Sequence, residues 1–323
     1  MVNQLINNIE TQELEVRNYA PIIIPTLCRY DHFKRCVESL SCCTHADKTE
    51  LIIGLDFPLK ESHKEGYDKI SDYINNGISN FKKVTVIRHS SNQGAVNNYR
   101  YILDYAFQRY DCVIVTEDDN EFSPNFLDYI NRGLILYEDA DEISAICGYN
   151  YPVEMNDYTH NTYLSHNFSA WGYGMWKQKY EKYQSEFSLQ WSQKILKSPT
   201  LMLKILRQKP TLAISLWYMC RHKTMLGDVN RELYNIIDNH YSLFPRVSLV
   251  RNWGHDGTGV NCGDFHNERY LTQKIDDRTI FDFSEDINIL PRKFNKRLRV
   301  FFGDRFSDLF LRTCRYIKRK IFN

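Results

Sequence analysis

The chain has 323 residues, 43% of them hydrophobic and 25% charged, which suffices to bury a sizeable core in one large α/β domain or two small ones. This composition excludes an intrinsically disordered chain. The longest uncharged apolar stretch, residues 210–220, is well short of the roughly 18 residues that a transmembrane helix requires.

Five short runs rich in β-branched residues predict buried strands in the first half of the chain. Segments of helix length lie between them. This alternation predicts a doubly wound, mainly parallel α/β sheet over roughly residues 20–150, followed by a more irregular and aromatic part. The predicted strands are 20–25, 51–56, 84–88, 112–116 and 143–147; the predicted helices are 31–41, 64–76, 94–109 and 124–138, the last with Ser123 as N-cap and Pro124 at its first position.

Polar residues follow the ends of three predicted strands. Thr26 and Arg29 come after the first strand, Asp56 ends the second, and three consecutive acids at 117–119 follow the fourth. Doubly wound sheets bind ligands at the carboxyl ends of their strands, so we expect these side chains to converge on one rim.

The carboxylates at 117–119 repel one another unless a positive charge neutralises them. A divalent cation would do so, and aspartate oxygens select hard ions such as Mg²⁺ or Mn²⁺, which commonly bridge the phosphates of a nucleotide. The alternative is a solvated acidic turn that stabilises the N-terminus of the next helix. The chain has no Walker A sequence and no G-x-G-x-x-G motif, which excludes the usual ATPase and dinucleotide-binding classes.

Three neighbouring segments carry a resemblance to a known family. They are 92–101 (Asn-Gln-Gly-Ala-Val-Asn-Asn-Tyr-Arg-Tyr), 112–119 (Cys-Val-Ile-Val-Thr-Glu-Asp-Asp) and 123–126 (Ser-Pro-Asn-Phe). Together they resemble the GT-A glycosyltransferases, above all the N-acetylglucosaminyltransferase I group and, behind it, the family 2 transferases. In that group a helix with His-Tyr-Arg-Trp leads to a strand ending in Glu-Asp-Asp, followed by Ala-Pro-Asp-Phe-Phe. The resemblance covers roughly residues 20–265 and implies a GT-A-like fold and sugar transfer from a nucleotide-sugar donor.

The resemblance implies roles for the residues of the predicted rim. Asp119 would contact Mn²⁺ or Mg²⁺, and Glu117 and Asp118 would reach the ribose or donor sugar. His255, in a glycine-rich loop expected to order over the diphosphate, would complete the metal shell or else be a structural histidine. The remaining residues of the implied nucleotide site are Pro25, Thr26, Arg29, Asp56, Asn92 and Arg100. Their alternatives are a strand-end turn for Thr26 and Arg29, a helix N-cap for Asp56 and an exposed helix position for Arg100.

Residues 169–176 (Ser-Ala-Trp-Gly-Tyr-Gly-Met-Trp) resemble the segment that lines the sugar and acceptor pockets of these enzymes. The resemblance implies that Trp171, Gly172 and Trp176 contact the sugar, because indole faces stack on sugars and glycine lets backbone approach a ligand. The alternative is that these aromatic residues belong to the core.

Asp228 occupies the place of the family's catalytic base, which takes the proton of the acceptor hydroxyl in an inverting transfer. The family usually has a tryptophan beside this acid, whereas here the neighbours are Gly227 and Val229. A helix N-cap is the alternative for Asp228, and Asp238 and Asp256 are further candidates for the base.

Residues 291–323 form a basic tail of formal net charge +9, which leaves −8 on the rest of the chain. Apolar residues recur there at steps of three and four, as in an amphipathic helix that either lies on an anionic membrane or packs on the body. Gly303 argues against one long uninterrupted helix, and the acidic body argues against a nucleic-acid partner.

Nine cysteines without a C-x-x-C pair favour free thiols in a reducing compartment, and residues 1–20 lack the apolar core of a signal peptide. We therefore expect a cytoplasmic protein, peripheral on the inner face of the membrane if the tail binds lipid.

The sequence thus predicts a GT-A-like domain at 1–290 and the basic tail at 291–323. The domain would comprise a nucleotide-sugar-binding half at about 20–150 and an acceptor and lid half at 151–290. The expected reaction is metal-dependent transfer of a hexosyl or N-acetylhexosaminyl group from a UDP-sugar to a hydroxyl of a glycan or lipid-linked glycan, with inversion. One alternative is a sugar-nucleotide pyrophosphorylase, although residues 24–29 lack its glycine-rich first loop. The other is a non-catalytic carbohydrate-binding or membrane-scaffold protein.

Overall fold

The structure is a computed structural model that describes residues 19–186, 188–257, 268–283 and 289–304. Its strands are β1 (Ile22–Thr26), β2 (Glu50–Leu55), β3 (Lys83–Arg88), β4 (Cys112–Val115), β5 (Asn120–Phe122), β6 (Ile143–Cys147), β7 (Thr162–Ser165), β8 (Tyr173–Trp176), β9 (Tyr241–Pro245) and β10 (Val250–Asn252).

Most helices lie between these strands. They are α1 (Tyr30–Ser41), α2 (Lys64–Asn75), α3 (Ala95–Phe107), α4 (Phe126–Leu136), α5 (Lys177–Glu186), α6 (Leu189–Lys197), α7 (Pro199–Gln208), α8 (Pro210–His222), α9 (Gly227–Asp238), α10 (Glu268–Leu271) and α11 (Arg292–Phe302), with short 3₁₀ turns at Ala46–Lys48 and Glu61–His63.

The main sheet has eight strands in the order β3-β2-β1-β4-β8-β6-β9-β7. Strands β1 to β4 pair in parallel, and β6 and β9 run in the same direction, whereas β8 and β7 run against the other six. A separate antiparallel pair joins β5 to β10. The predicted mainly parallel α/β architecture is confirmed.

Alternation along β1 explains why helices cover both faces of the sheet. Ile22 and Ile24 pack into a core that includes residues of α1, α2 and α4, whereas Ile23 packs into a second core with residues of α3 and α11. All three isoleucines are fully buried, as expected for a parallel strand between two helical layers.

The second half of the chain extends the same sheet. Strands β7, β8 and β9 lie beyond the parallel core, so both predicted halves contribute to one sheet. Helices α6, α7, α8 and α9 share a third apolar core, which includes Ile195, Ile205, Leu216 and Leu233. No helix within the described ranges combines the length and apolarity needed to span a bilayer.

The predicted start of the fourth helix is wrong by two residues. Helix α4 begins at Phe126 with Asn125 as its N-cap residue. The hydroxyl of Ser123 instead lies 2.8 Å from Asn125 Oδ1 and contacts the carbonyl oxygen of Asp276. Ser123 therefore ties the entrance of the helix to a distant loop.

The part of the basic tail that the structure describes packs on the body. Phe294 and Leu298 of α11 are buried, and the Phe294 ring meets Tyr158 edge to face at 5.3 Å. Gly303, with φ of 63°, ends the helix. The membrane-facing interpretation is therefore wrong for Phe294 and Leu298, and the part of the predicted stripe from residue 305 onward lies outside the described residues.

Trp176 stabilises the contact between β8 and α4. Its side chain is 4% exposed and its indole Nε1 donates to the Leu134 carbonyl at 3.0 Å. Trp176→Phe should lower the free energy of unfolding by about 1–3 kcal/mol, because a buried acceptor loses its donor. Urea titration would measure the change. As a control, the same substitution at Trp217, which is 45% exposed, should change it by less than about 0.5 kcal/mol; equal losses would contradict this role for Trp176.

Candidate active site

The acids that follow β4 are held by residues at the end of β1 and in the loop after it. Thr26 Oγ1 donates to Asp118 Oδ2 at 2.9 Å. The guanidinium of Arg29 pairs with Asp118 through Nη2 and with Asp119 Oδ2 through Nη1, the latter at 2.8 Å. Asp118 and Asp119 are 6% and 4% exposed, so the solvated acidic turn is ruled out for these two acids. Thr26 and Arg29 do not merely form a turn at the end of a strand, because their side chains bind these acids.

Charge neutralisation explains how two adjacent aspartates stay buried. Burial raises the pKa of Asp118, and the charge of Arg29 opposes that rise. Burial alone would lower the pKa of Arg29, but the charges of Asp118 and Asp119 and the hydrogen bonds to them raise it above its usual value. Arg29 is thus a permanent cation between the two carboxylates.

The β10 strand brings a second set of partners to Asp119. Asn252 Nδ2 donates to Asp119 Oδ1 at 2.8 Å, and the Trp253 backbone N–H donates to the Asp119 carbonyl at 2.8 Å. Gly254 approaches so closely that a Cβ there would lie 2.2 Å from Asp119 Oδ2. The chain after β10 therefore lies directly against the last acid of the triplet.

His255 lies beside Asp119 in an aromatic setting. Its ring stacks on Tyr270 at 4.1 Å and meets Trp171 edge to face at 5.5 Å. Burial lowers the pKa of His255, although the charge of Asp119 opposes the change. Among the described residues, its Nε2 is buried and has no hydrogen-bond partner, so a neutral imidazole nitrogen is available as a ligand.

These residues fit a cation that takes few ligands from the protein. The oxygens of Asp119 are engaged by Arg29 and Asn252, but a carboxylate oxygen has more than one lone pair. His255 Nε2 offers a second ligand. Within the described ranges, no group of three or more histidine, cysteine, aspartate or glutamate side chains forms a metal cluster. A bound cation would draw its other ligands from a diphosphate and water.

Asp56 organises the segment before α3. Its Oδ1 accepts from the backbone N–H groups of Phe57 at 2.9 Å and Gln93 at 2.8 Å, and its Oδ2 accepts from that of Gly94 at 2.9 Å. Asn92 Nδ2 donates to the Phe57 carbonyl at 2.6 Å. Asp56 is 3% exposed, so the structure gives it a positioning role, and direct ribose or base contact would require these bonds to break.

The other two residues of the implied nucleotide site lie at its margin. Pro25 is half-buried in β1 and pairs with Gly54 of β2, next to Thr26. Arg100 is exposed on α3 and forms no ion pair with any described residue. The structure therefore matches the exposed-helix alternative for Arg100.

Asp228 lies in the first turn of α9, one residue beyond the start of the helix. The N-cap residue is Leu226 and no side chain caps the helix, so the N-cap alternative for Asp228 is wrong. Loss of hydration raises the pKa of Asp228 to about 6, helped by the charge of Glu232 and opposed by Arg231 and Lys209. A carboxylate with this pKa is mostly ionised at neutral pH and is basic enough to accept a proton.

Glu117 connects Asp228 to the triplet. Loss of hydration, together with the charges of Asp119, Asp228 and Asp118, raises the pKa of Glu117 to about 8. Glu117 and Asp228 are nevertheless exposed side chains. A side chain can be exposed and still lose part of its hydration when it lies on the floor of a concave cleft, where water reaches it but protein surrounds it. We infer that Asp228 and the triplet lie in one cleft, because the charge of Asp228 acts on Glu117, although 109 positions separate Asp228 from Asp119.

Trp171 and Gly172 lie next to His255 and the small β5–β10 sheet. The half-buried Trp171 ring meets Tyr149 edge to face at 4.6 Å. Gly172 has φ of 73°, and a Cβ there would lie 2.9 Å from the Phe122 ring. Only glycine fits this position, so Gly172 shapes the wall beside the acids.

Trp176 does not line the cleft, and its assignment as a sugar-binding residue is wrong. It pairs with Cys112, at the start of β4, whereas the acids follow the end of that strand. The residue of β8 at the cleft end is Tyr173, which pairs with Val115 and lies 3.4 Å from the Tyr99 hydroxyl. Because β8 runs against β4, the two ends of Tyr173–Trp176 lie at opposite edges of the sheet.

Sequence reasoning missed three side chains of this site. Asn252 could have been suspected, since it ends a strand just before Gly254 and His255. Arg231 lies three positions after Asp228 and is therefore on the same helix face; it is 4% exposed and contacts the Tyr183 ring at 4.2 Å. No pattern in the sequence indicated that Tyr270 would stack on His255.

Comparison with solved structures finds distant similarities. A mannosyltransferase of Pyrobaculum calidifontis, solved with GDP-mannose and Mn²⁺, is 11% identical with a TM-score of 0.38, over 56% of this chain and 51% of that one. TarS of S. aureus is 14% identical with a TM-score of 0.28, over 39% and 20%. Mouse xyloside xylosyltransferase 1 is 12% identical with a TM-score of 0.33, over 68% and 81%. The chain thus spans about half the length of the mannosyltransferase.

Sequence comparison gives the family. No curated protein matches the chain significantly. The model of the GNT-I family matches residues 4–198, which is more than half of the chain and includes the triplet and its partners Thr26 and Arg29. The chain belongs to the GNT-I family.

Proposed function

We propose that the chain is a metal-dependent glycosyltransferase that transfers a hexosyl or N-acetylhexosaminyl group from a UDP-sugar to a hydroxyl of a glycan or lipid-linked glycan, with inversion. The observation that carries the proposal is the proximity of Asp228 to the acidic triplet, where its charge acts on Glu117. Asp119 with His255 would hold Mn²⁺ or Mg²⁺, and Asp228 would be the base. The nucleotide and the sugar class follow from the resemblance to the N-acetylglucosaminyltransferase I group.

The proposed cation would offset the negative charge that develops on the leaving diphosphate. Asp119 supports this assignment because it is buried, lies at the cleft floor and is fixed on both oxygens. The orphaned Nε2 of His255 supports a second protein ligand. Arg29 would balance part of the charge of both aspartates while the site is without a cation.

Asp228 would accept the proton of the acceptor hydroxyl as its oxygen attacks the anomeric carbon. Arg231 and Lys209 favour the ionised form of Asp228, and Glu232 and loss of hydration favour the protonated form. This balance supports a carboxylate that is ready to accept a proton near neutral pH. Asp238, at the far end of the same helix, lies outside the cleft by this geometry.

The proposed acceptor also bears on where in the cell the protein acts. We propose a cytoplasmic enzyme, peripheral on the inner face of the membrane, because lipid-linked acceptors are presented there. The seven described cysteines are all free thiols, which supports a reducing compartment.

The first prediction concerns the cation. Isothermal titration with UDP and GDP, with and without Mn²⁺, should show metal-dependent binding that weakens about 10- to 100-fold or more in Asp119→Asn. The matched control is Asp111→Asn, an exposed aspartate at the opposite end of β4, which should bind like the wild type. Tight metal-independent binding, unchanged in Asp119→Asn, would rule out the proposed cation site.

The second prediction concerns the base. Asp228→Asn should lower kcat about 10²- to 10⁴-fold, because the amide cannot take the acceptor proton, while UDP affinity stays within about twofold. Asp238→Asn is the control on the same helix and should keep wild-type kcat. Loss of activity in Asp238→Asn alone would move the base to the other end of α9.

The third prediction is a pH dependence. The base must be ionised, so kcat/KM for the acceptor should fall below pH 6, about tenfold per pH unit, since the pKa of Asp228 is about 6. A pH–rate profile between pH 5 and 8 would measure it. The residual activity of Asp228→Asn should lack this acidic limb; an identical limb in the variant would show that another group titrates.

A further inference from the structure

Helices α6, α7 and α8 belong to a segment of unusual charge. Residues 189–226 contain seven lysines and arginines and no aspartate or glutamate. Lys209 forms an ion pair with Glu232 at 2.8 Å. Five of the other cations are exposed and form no ion pair with any described residue: Lys194, Lys197, Arg207, Arg221 and Lys223. The segment therefore presents uncompensated positive charge to solvent.

Helix α8 is apolar on two sides. Leu212, Leu216 and Met219 are buried in the third core. Ile214, Trp217 and Tyr218 are 38%, 45% and 45% exposed. Packing in the third core explains why Leu212, Leu216 and Met219 are apolar, but it does not explain the apolar residues on the exposed side. An exposed cluster with two large aromatic rings marks an interaction surface.

The exposed residues of α8 form one continuous face. Ile214, Trp217, Tyr218, Arg221 and His222 follow the spacing i, i+3, i+4, i+7 and i+8, which places them on one side of a helix. We call these five residues the α8 face. It is apolar and aromatic at the start of the helix and basic at its end, where Lys223 follows as the C-cap residue.

We propose that the α8 face docks on an anionic phospholipid membrane. Tryptophan and tyrosine favour the boundary between headgroups and acyl chains, because their rings are apolar with one polar end. Arg221 and Lys223 would meet anionic headgroups at the same level. Charge complementarity favours this occupant over a second copy of the chain, since two such faces would bring like charges together.

The α8 face also lies close to the candidate base along the chain. Only five residue steps separate Lys223 from Asp228, and a fully extended chain spans at most about 18 Å over that length. Docking of α8 would therefore hold the cleft near the membrane surface. This consequence for catalysis rests on the proposed lipid-linked acceptor, whereas membrane binding itself does not.

Co-sedimentation of the full chain with vesicles tests the proposal, in the absence of donor and acceptor. The wild type should bind vesicles of phosphatidylcholine with phosphatidylglycerol, and bind pure phosphatidylcholine vesicles at least tenfold more weakly. The variant Ile214→Ser/Trp217→Ser/Tyr218→Ser should lose at least tenfold in affinity, and Arg221→Gln/Lys223→Gln should lose affinity and salt dependence. The control Ile280→Ser changes a residue that is 61% exposed outside α8 and should bind like the wild type.

Trp217 provides a readout that the basic tail cannot imitate. Vesicles with brominated acyl chains should quench part of the tryptophan fluorescence of the wild type. Trp217→Phe should abolish that part while it retains vesicle binding, because phenylalanine keeps the apolar contact. Circular dichroism and thermal melting would confirm that each variant is folded.

Three results would overturn the proposal. They are unchanged vesicle binding in the triple serine variant, quenching unchanged in Trp217→Phe, and a wild type that ignores anionic vesicles but forms a dimer that the triple variant loses. The last result would make the α8 face an interface between copies. Since no donor is present, none of these results bears on the transferase reaction, which the Asp119 and Asp228 variants test separately.

Discussion

The double ion pair of Arg29 is the interaction on which the site depends. Two adjacent aspartates, each less than a tenth exposed, could not remain ionised together at the end of β4 without a nearby cation. Arg29 supplies it from the loop after the neighbouring strand β1, and Thr26, the last residue of that strand, adds a hydrogen bond. Because β1 and β4 are parallel neighbours, their carboxyl ends coincide. The cleft therefore exists in advance of any ligand.

Antiparallel pairing brings the second half of the chain to this cleft. The β5–β10 pair sets Asn252 opposite Asn120, and the backbone after β10 then lies against Asp119. His255 follows three residues later and stacks on Tyr270. Helix α9 supplies Asp228 from a different direction. The acids of the first half are thus fixed by parallel strands, whereas their partners from the second half arrive through loops that no local pattern specifies.

This difference explains what the sequence could predict. The five predicted strands match β1 to β4 and β6 within two residues at each end, because strands buried on both faces are continuous apolar runs. The positions of the triplet and of Arg29 at one rim could be predicted from the ends of those strands. The sugar-binding prediction for Trp176 was wrong because the sequence of a short antiparallel strand does not show which of its ends lies at the ligand-binding edge of the sheet. Asp56 lies at the end of β2, as the sequence predicts, but its hydrogen bonds to the backbone of residues 93 and 94 depend on tertiary contacts.

The charges in the cleft indicate why a cation and a donor would bind together. Arg29 already pairs with Asp118 and Asp119, so these two carboxylates balance its charge before a diphosphate binds. Asp228 adds negative charge at the floor, whereas loss of hydration and the charges of neighbouring acids raise the pKa of Glu117 to about 8 and favour its protonated form. The negative charge of the cleft would repel a diphosphate that binds alone. A divalent cation would offset this negative charge, and the cation would also favour the ionised form of Glu117. The same cation would thus prepare the site for the donor and keep the acids beside it in the form that binds metal.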